Sequence, residues 1–132
     1  MPLDLDTLIT RALEARRRTY SPYSGYAVGA ALLGRSGQVY LGANIENAAY
    51  GESICAERTA VVKAVSEGER QFDAIVVATA NGGSPCGACR QVLNEFAPDL
   101  LVVLVDAHGQ ITLQARLPDL LPGAFGPSHL VK

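Results

Sequence analysis

Little in this sequence of 132 residues is extreme, and each shortage excludes something. Charge is scarce: 18% of residues are Asp, Glu, Lys or Arg and the formal net charge is -2. No basic face is therefore on offer to a polynucleotide, and no nucleic-acid partner is expected. The one basic run, Arg16-Arg17-Arg18, reads as the solvated end of a helix, where cations meet the negative end of the dipole. No apolar run approaches the roughly 20 residues that cross a bilayer, so no membrane partner is expected. Met1-Pro2-Leu3-Asp4-Leu5-Asp6 has neither the basic nor the apolar stretch of a secretory signal. Cysteine is limited to three residues, too few and odd in number for a disulfide framework, which points to reduced thiols and a cytoplasmic location. The two histidines lack ligand-like spacing to any cysteine, so His108 reads as a turn residue and His129 as a surface residue. There is no internal repeat and no low-complexity tract.

What is present is a core-forming composition. Hydrophobic residues make up 48% of the chain, which excludes disorder, and the length suits a single domain over residues 1–132. Leu5, Leu8, Ile9, Ala12 and Leu13 recur at helical spacing behind Asp4 and Asp6, predicting a helix to about Arg18. Tyr26 to Leu33 and Gln38 to Ala43 read as strands of a hairpin turned at Gly34-Arg35-Ser36-Gly37. Ser53 is the expected N-cap of a second helix, which carries Ala56, Ala60, Val61, Ala64 and Val65 on one face and stops at Gly68. Phe72 to Thr79 reads as a buried strand, Gly87 to Phe96 as a third helix, Leu100 to Val105 as a central strand, and Ile111 to Gln114 as a last strand before a Pro-rich tail. That order predicts an α/β fold, helices covering a five-stranded mixed sheet, with the strands from Phe72 and Leu100 parallel because a helix crosses between them.

The chemistry is concentrated in two short stretches that hold every cysteine: Cys55-Ala56-Glu57-Arg58 and Pro85-Cys86-Gly87-Ala88-Cys89-Arg90. Three thiolates suit a catalytic zinc, which takes three protein ligands and keeps a position open, better than a structural zinc, which takes four. Both stretches open helices, where unpaired N–H groups and the positive end of the dipole favour thiolate. Cys86 and Cys89 are three apart and can grip one ion from one helical face. Cys55 and Glu57 are two apart and converge only if Cys55 stands at the very start of its helix. Glu57 would then move the proton of a zinc-acidified water. Three thiolates and one dication sum to a single negative charge, which Arg58 and Arg90 could offset by donating hydrogen bonds to the sulfurs. Taken singly, the cysteines could be inert buried thiols and the Cys86/Cys89 pair a redox motif; Cys55-Ala56-Glu57 upstream makes the three together a candidate zinc site.

At these residues the sequence resembles the cytidine deaminases, specifically their small homotetrameric branch with three cysteine ligands, in which a Cys-x-Glu stretch is paired with Pro-Cys-x-x-Cys. The resemblance runs along nearly the whole chain, through Tyr20-Ser21-Pro22-Tyr23-Ser24, Val28-Gly29-Ala30-Ala31-Leu32, Asn44-Ile45-Glu46-Asn47-Ala48, Arg90-Gln91-Val92, Leu120-Leu121-Pro122 and Phe125-Gly126-Pro127. It implies a three-layer α/β/α sandwich, one zinc per subunit on Cys55, Cys86 and Cys89, and hydrolytic deamination of cytidine and 2′-deoxycytidine in pyrimidine salvage. Hydroxide generated at the zinc would attack C4 while Glu57 carries the proton to N3 and then to the leaving ammonia.

The resemblance further implies that Asn44 and Glu46 hold the ribose 3′-hydroxyl, that the backbone of Ala56 reads the base edge, and that Tyr26 packs on the base. The family usually has phenylalanine at that last position, so the hydroxyl of Tyr26 leaves the fine substrate preference open. Phe125 and Tyr50 would reach across subunit interfaces of a homotetramer with shared active sites. Ser53 and Ser84 lie near these stretches but are left outside the expected site. Two alternatives remain at this point: a deaminase for a different amine such as blasticidin S, and a non-enzymatic module that uses zinc only to hold its fold and would need a fourth protein ligand.

Overall fold

The computed structural model describes residues 4–130. Helix α1 (Leu5–Arg16) leads into the hairpin β1 (Gly29–Gly34) and β2 (Val39–Ala43). Helix α2 (Ala56–Ser66), strand β3 (Phe72–Ala78), helix α3 (Gly87–Phe96), strands β4 (Leu101–Val105) and β5 (Ile111–Arg116) and a four-residue helix α4 (Leu117–Leu120) follow. The strands form one sheet in the order β2-β1-β3-β4-β5. β3 and β4 are parallel, as the crossing helix requires, and every other neighbouring pair is antiparallel.

Residues on a strand alternate between its two faces, and the sheet sorts its side chains accordingly. Ala31, Ala74, Val76, Ala78, Val103 and Val105 meet Leu8, Ile9 and Ala12 of α1 on one face. Ala30, Leu32, Ile75, Val77, Val102 and Leu104 meet Ala60, Val61 and Ala64 of α2 and Leu93 of α3 on the other. Helices therefore cover both faces of the expected five-stranded mixed sheet. The second contact matters for the site. A Cβ at Gly42 would collide with the Ala56 carbonyl oxygen and lie 2.6 Å from the Ala60 nitrogen, so only glycine lets the start of α2 sit against β2. On α3, Cys89 and Leu93 are both buried and four apart, so the face that anchors the helix in the core also carries a sulfur inward. Truncating Leu93 to alanine would cost about 2–5 kcal/mol.

Several boundaries differ from the sequence expectation for identifiable reasons. α1 stops at Arg16, not Arg18, because Arg17 and Arg18 bond three residues back, to Glu14 and Ala15, and Arg16 Nε is drawn to the Ala27 carbonyl. β1 begins at Gly29 and not Tyr26. Ser53 is not the N-cap of α2: Cys55 is, and its carbonyl accepts the first helical bond from Thr59 N at 3.0 Å. Residues 53 and 54 are extended because Ile54 pairs with Ile45 in both directions, and the Ser53 hydroxyl accepts from Asn47 N instead. A short 3₁₀ turn over Tyr50–Glu52 precedes it, and the Pro-rich tail holds α4 and a second 3₁₀ turn, Pro127–His129. Among the described residues no helix is long and apolar enough to cross a membrane.

Candidate active site

The N-termini of α2 and α3 bring the three cysteines together. Cys55 and Cys86 are the N-caps of their helices and Cys89 lies one turn into α3. Their sulfurs all fall within 4.8 Å of one another, with Cys55 to Cys86 at 3.9 Å and Cys86 to Cys89 at 3.3 Å. Tetrahedral zinc with bonds of about 2.3 Å to sulfur holds its thiolates about 3.8 Å apart, so the donor set fits that ion. Among the described residues the cluster has three members, which matches an open fourth position and not the closed four-ligand site of a structural module.

The thiols share their protons unevenly. Hydrogen bonding with Cys89 and then with Cys86, together with the positive charge of Arg58, brings Cys55 down to about 6 against the opposing effect of burial. The same hydrogen bond to Cys55, together with burial, drives Cys89 far above its ordinary range. The lowered Cys55 favours the thiolate form in which a cysteine binds metal.

Glu57, at the second position of α2, is 4% exposed. Burial raises its carboxyl to about 7 and the negative charge of Cys55 pushes the same way, while its own backbone amide and Arg58 pull it down. It opens on a cavity of about 290 Å³ bordered by Cys55, Ala56, Cys86, Tyr26, Asn44 and Glu46, and also by Val28, Val77, Thr79, Gly83, Ser84 and Ser24. Asn44, Glu57 and Thr79 are the buried polar side chains among the described residues, and all three line this cavity. Buried polar groups are costly to keep, so their gathering here marks the place where chemistry is done. Ala56 is fully buried at the first position of α2, where an amide has no carbonyl of its own helix to bond.

The opposite wall is built from loops. Asn44 Oδ1 accepts from Val28 N at 3.0 Å and from the Thr19 hydroxyl at 2.5 Å, while Nδ2 donates to the Tyr26 carbonyl at 2.8 Å. Its oxygen is fully used, and one N–H remains to offer. Glu46 is held by Tyr23 N and Ser24 N on Oε1 and by the Ser24 hydroxyl on Oε2 at 2.5 Å, the last being the main cause of its lowered pKa. Three of about four acceptor sites on that carboxylate are occupied. Tyr26, 38% exposed, sends its hydroxyl to Asn81 Oδ1 at 2.7 Å.

The remaining expected residues lie elsewhere in a single chain. Tyr50 is 74% exposed and packs edge-on against Tyr23, over a shallow hollow that also contains Glu46. Phe125 is 56% exposed and stacks on His129, and Gln91 and Asn94 of α3 both donate to its carbonyl. Arg90 directs its donors to the carbonyls of Pro85 and Leu120 and to the Ser84 hydroxyl, so it braces the loop ahead of Cys86. The sequence reading passed over Thr19, Ser24 and Thr79, and left out Ser84. The first two lie in or beside the Tyr20–Ser24 stretch that carries part of the resemblance, with no role of their own assigned there, although hydroxyls clustered before a strand are also what a polar wall is made of.

Comparison with known proteins bears on this geometry. The profile of the cytidine and deoxycytidylate deaminase zinc-binding region matches residues 3–105. A cytidine deaminase of Sporosarcina psychrophila is 47% identical over 97% of this chain and 96% of its own length. One from Halalkalibacterium halodurans is 51% identical over 93% and 95%. The crystal structure of the cytidine deaminase from Burkholderia pseudomallei superposes with a TM-score of 0.89 at 44% identity, covering 93% of this chain and all of that one. The same sandwich, the match to the zinc-binding-region profile and this degree of identity along nearly the full length have one explanation: the chain belongs to the cytidine and deoxycytidylate deaminase family.

Proposed function

We propose that this chain is a zinc-dependent cytidine deaminase that converts cytidine or 2′-deoxycytidine and water to uridine or deoxyuridine and ammonia, in pyrimidine salvage. The observation that carries this reading is the meeting of three cysteine sulfurs and one buried carboxylate, Glu57, at a single small cavity. Cys55, Cys86 and Cys89 would hold the zinc, which when bound would supply the Lewis acidity that makes a water nucleophilic near neutral pH. Glu57, whose burial keeps its affinity for a proton close to that of the medium, is placed to hold a proton released by the attacking water and to pass it to N3 of the base and on to the departing amine. Arg58 tempers the charge of Cys55 and Glu57. Arg90 acts one step further out, through the loop it braces. The Ala56 amide faces the edge of the base and the Tyr26 ring its face.

The polar wall supports a nucleoside and not a free base. One N–H left on Asn44 and one acceptor site left on Glu46 match a single hydroxyl that accepts from the first and donates to the second, as a ribose 3′-hydroxyl does. The whole chain, residues 1–132, works as one domain in the cytoplasm, a reading supported by its free thiols. It assembles as a homotetramer, supported by the exposure of Tyr50 and Phe125, neither of which lines the Glu57 cavity of its own chain and each of which is free to cover a neighbour's site. A fully active monomer in sedimentation would exclude shared sites. Ammonia release from cytidine, blasticidin S and a cytidine-containing oligonucleotide, measured side by side with zinc-loaded protein, tests the substrate. Release from cytidine is expected, and a folded, zinc-containing protein that spares cytidine would overturn the reading.

A further inference from the structure

The hydroxyl of Tyr26 has a use of its own. β1 and β3 pair antiparallel with Ala30 opposite Val77 and Gly29 opposite Ala78. Continued past the last pair, this register places Tyr26 opposite Asn81. The backbone ladder has ended by then, because Asn81 is paired with Asp106 on the other side and Thr79 N is bonded to Val105. Between the two diverging segments the Tyr26 hydroxyl donates to Asn81 Oδ1 at 2.7 Å. On its other side the Tyr26–Val28 segment is held by the Asn44 amide, which bonds the Tyr26 carbonyl and the Val28 amide as a strand neighbour would. Thr79 adds to the same cluster by accepting from Gly83 N at 2.8 Å.

We propose that Tyr26 is a positioning residue: its hydroxyl, bonded to Asn81, ties the entry of β1 to the loop from Thr79 to Cys86, and so fixes the cavity wall on which the base rests. The one proton of the hydroxyl is committed to this bond, so it has none to donate to a substrate, and donor-based choice among pyrimidine nucleosides is left to the rest of the cavity. Gly83 is part of the device. A Cβ there would lie 2.7 Å from the Tyr26 hydroxyl oxygen, with the next nearest atom, Asn81 Oδ1, at 3.6 Å, so the tyrosine's oxygen alone keeps that position small. The inference rests on the deaminase reading for its kinetic test and on geometry alone for its exchange test.

The experiment is a set of five zinc-loaded variants: Tyr26→Phe, Asn81→Ala, their double, and Gly83→Ala placed both on the parent and on Tyr26→Phe. Tyr26→Phe and Asn81→Ala should each raise KM for cytidine about tenfold and change kcat less than threefold, and the double should equal either single. Gly83→Ala should raise KM on the parent and have no effect on Tyr26→Phe, where the clashing oxygen is gone. Amide hydrogen exchange across residues 80–84 should quicken in both single variants, with or without any substrate. Single effects that add in the double, or a Gly83→Ala defect that persists in Tyr26→Phe, would overturn the proposal. So would unchanged exchange across that loop. A parent protein that fails to deaminate cytidine yet shows the exchange pattern would count against the substrate reading and leave the clamp standing. Should Asn81→Ala fail to fold, Tyr26→Phe with Gly83→Ala still decides; should Tyr26→Phe fail, exchange across residues 80–84 in Asn81→Ala decides.

Discussion

The cavity has two walls, each presenting a glutamate, and the two are prepared for opposite tasks. On the helical wall Glu57 is buried beside Cys55 and its carboxyl is raised to about 7. On the loop wall Glu46 is gripped by the Ser24 hydroxyl and by the amides of Ser24 and Tyr23, and its pKa is lowered. One carboxyl is set to exchange its proton during a reaction at neutral pH, and the other to remain an acceptor throughout. The difference teaches that environment, not residue type, assigns the role, and that a pair of acids pushed apart in pKa around one cavity separates proton transfer from binding.

The largest expected effect breaks the helical wall. Glu57→Gln keeps the shape and loses the proton carrier, so kcat for cytidine should fall by about 10²–10⁴-fold while the variant retains its zinc by metal analysis. Substantial turnover in that variant would remove Glu57 from the mechanism. The loop wall gives a smaller loss of a different kind. Glu46→Gln should lower kcat/KM for cytidine by about 10–100-fold and abolish the preference for cytidine over its 3′-deoxy analogue, because the acceptor for that hydroxyl is weakened. An equal loss on both substrates would mean that Glu46 only folds the loop over Ser24.

The smallest effect sharpens the comparison through stability. Glu46 is folded with its pKa below the ordinary 4.5, so its contribution is complete above that value and disappears as pH falls through the folded pKa. Glu57 is folded with its pKa above 4.5, near 7, so the wild-type protein loses stability as pH rises between those values. In zinc-stripped protein, the Tm difference between wild type and Glu46→Gln should therefore shrink on acidification below about pH 4.5. Glu57→Gln should instead gain on wild type as pH climbs toward about 7. Slopes of the same sign would erase the distinction between the two walls.

Much of this was legible in the sequence. Gly87–Phe96 forms the helix its periodicity predicts, with Cys86 as N-cap directly after Pro85. The apolar run at Leu101–Val105 is the strand buried on both faces that such a run implies. The condition placed on Cys55, that it open its helix, is met because it is the N-cap of α2. The resemblance added the substrate, which neither spacing nor composition carries. What the sequence hid was long-range competition for hydrogen bonds. Ser53 has the chemistry of an N-cap, yet Ile45 captures Ile54 and moves the helix start by two residues. Asn44 reads as a ligand residue, yet most of its capacity goes to Thr19, Val28 and Tyr26. Tyr26 and Asn81 are 55 positions apart, and only the register of β1 on β3 brings them face to face.

The most direct measurement of the whole account is a zinc titration of stripped protein, with ammonia release from cytidine followed at each addition. Activity should be absent at the start and rise linearly to a break at one zinc per chain. Turnover that survives stripping, or a chain carrying one zinc that releases no ammonia, would contradict it.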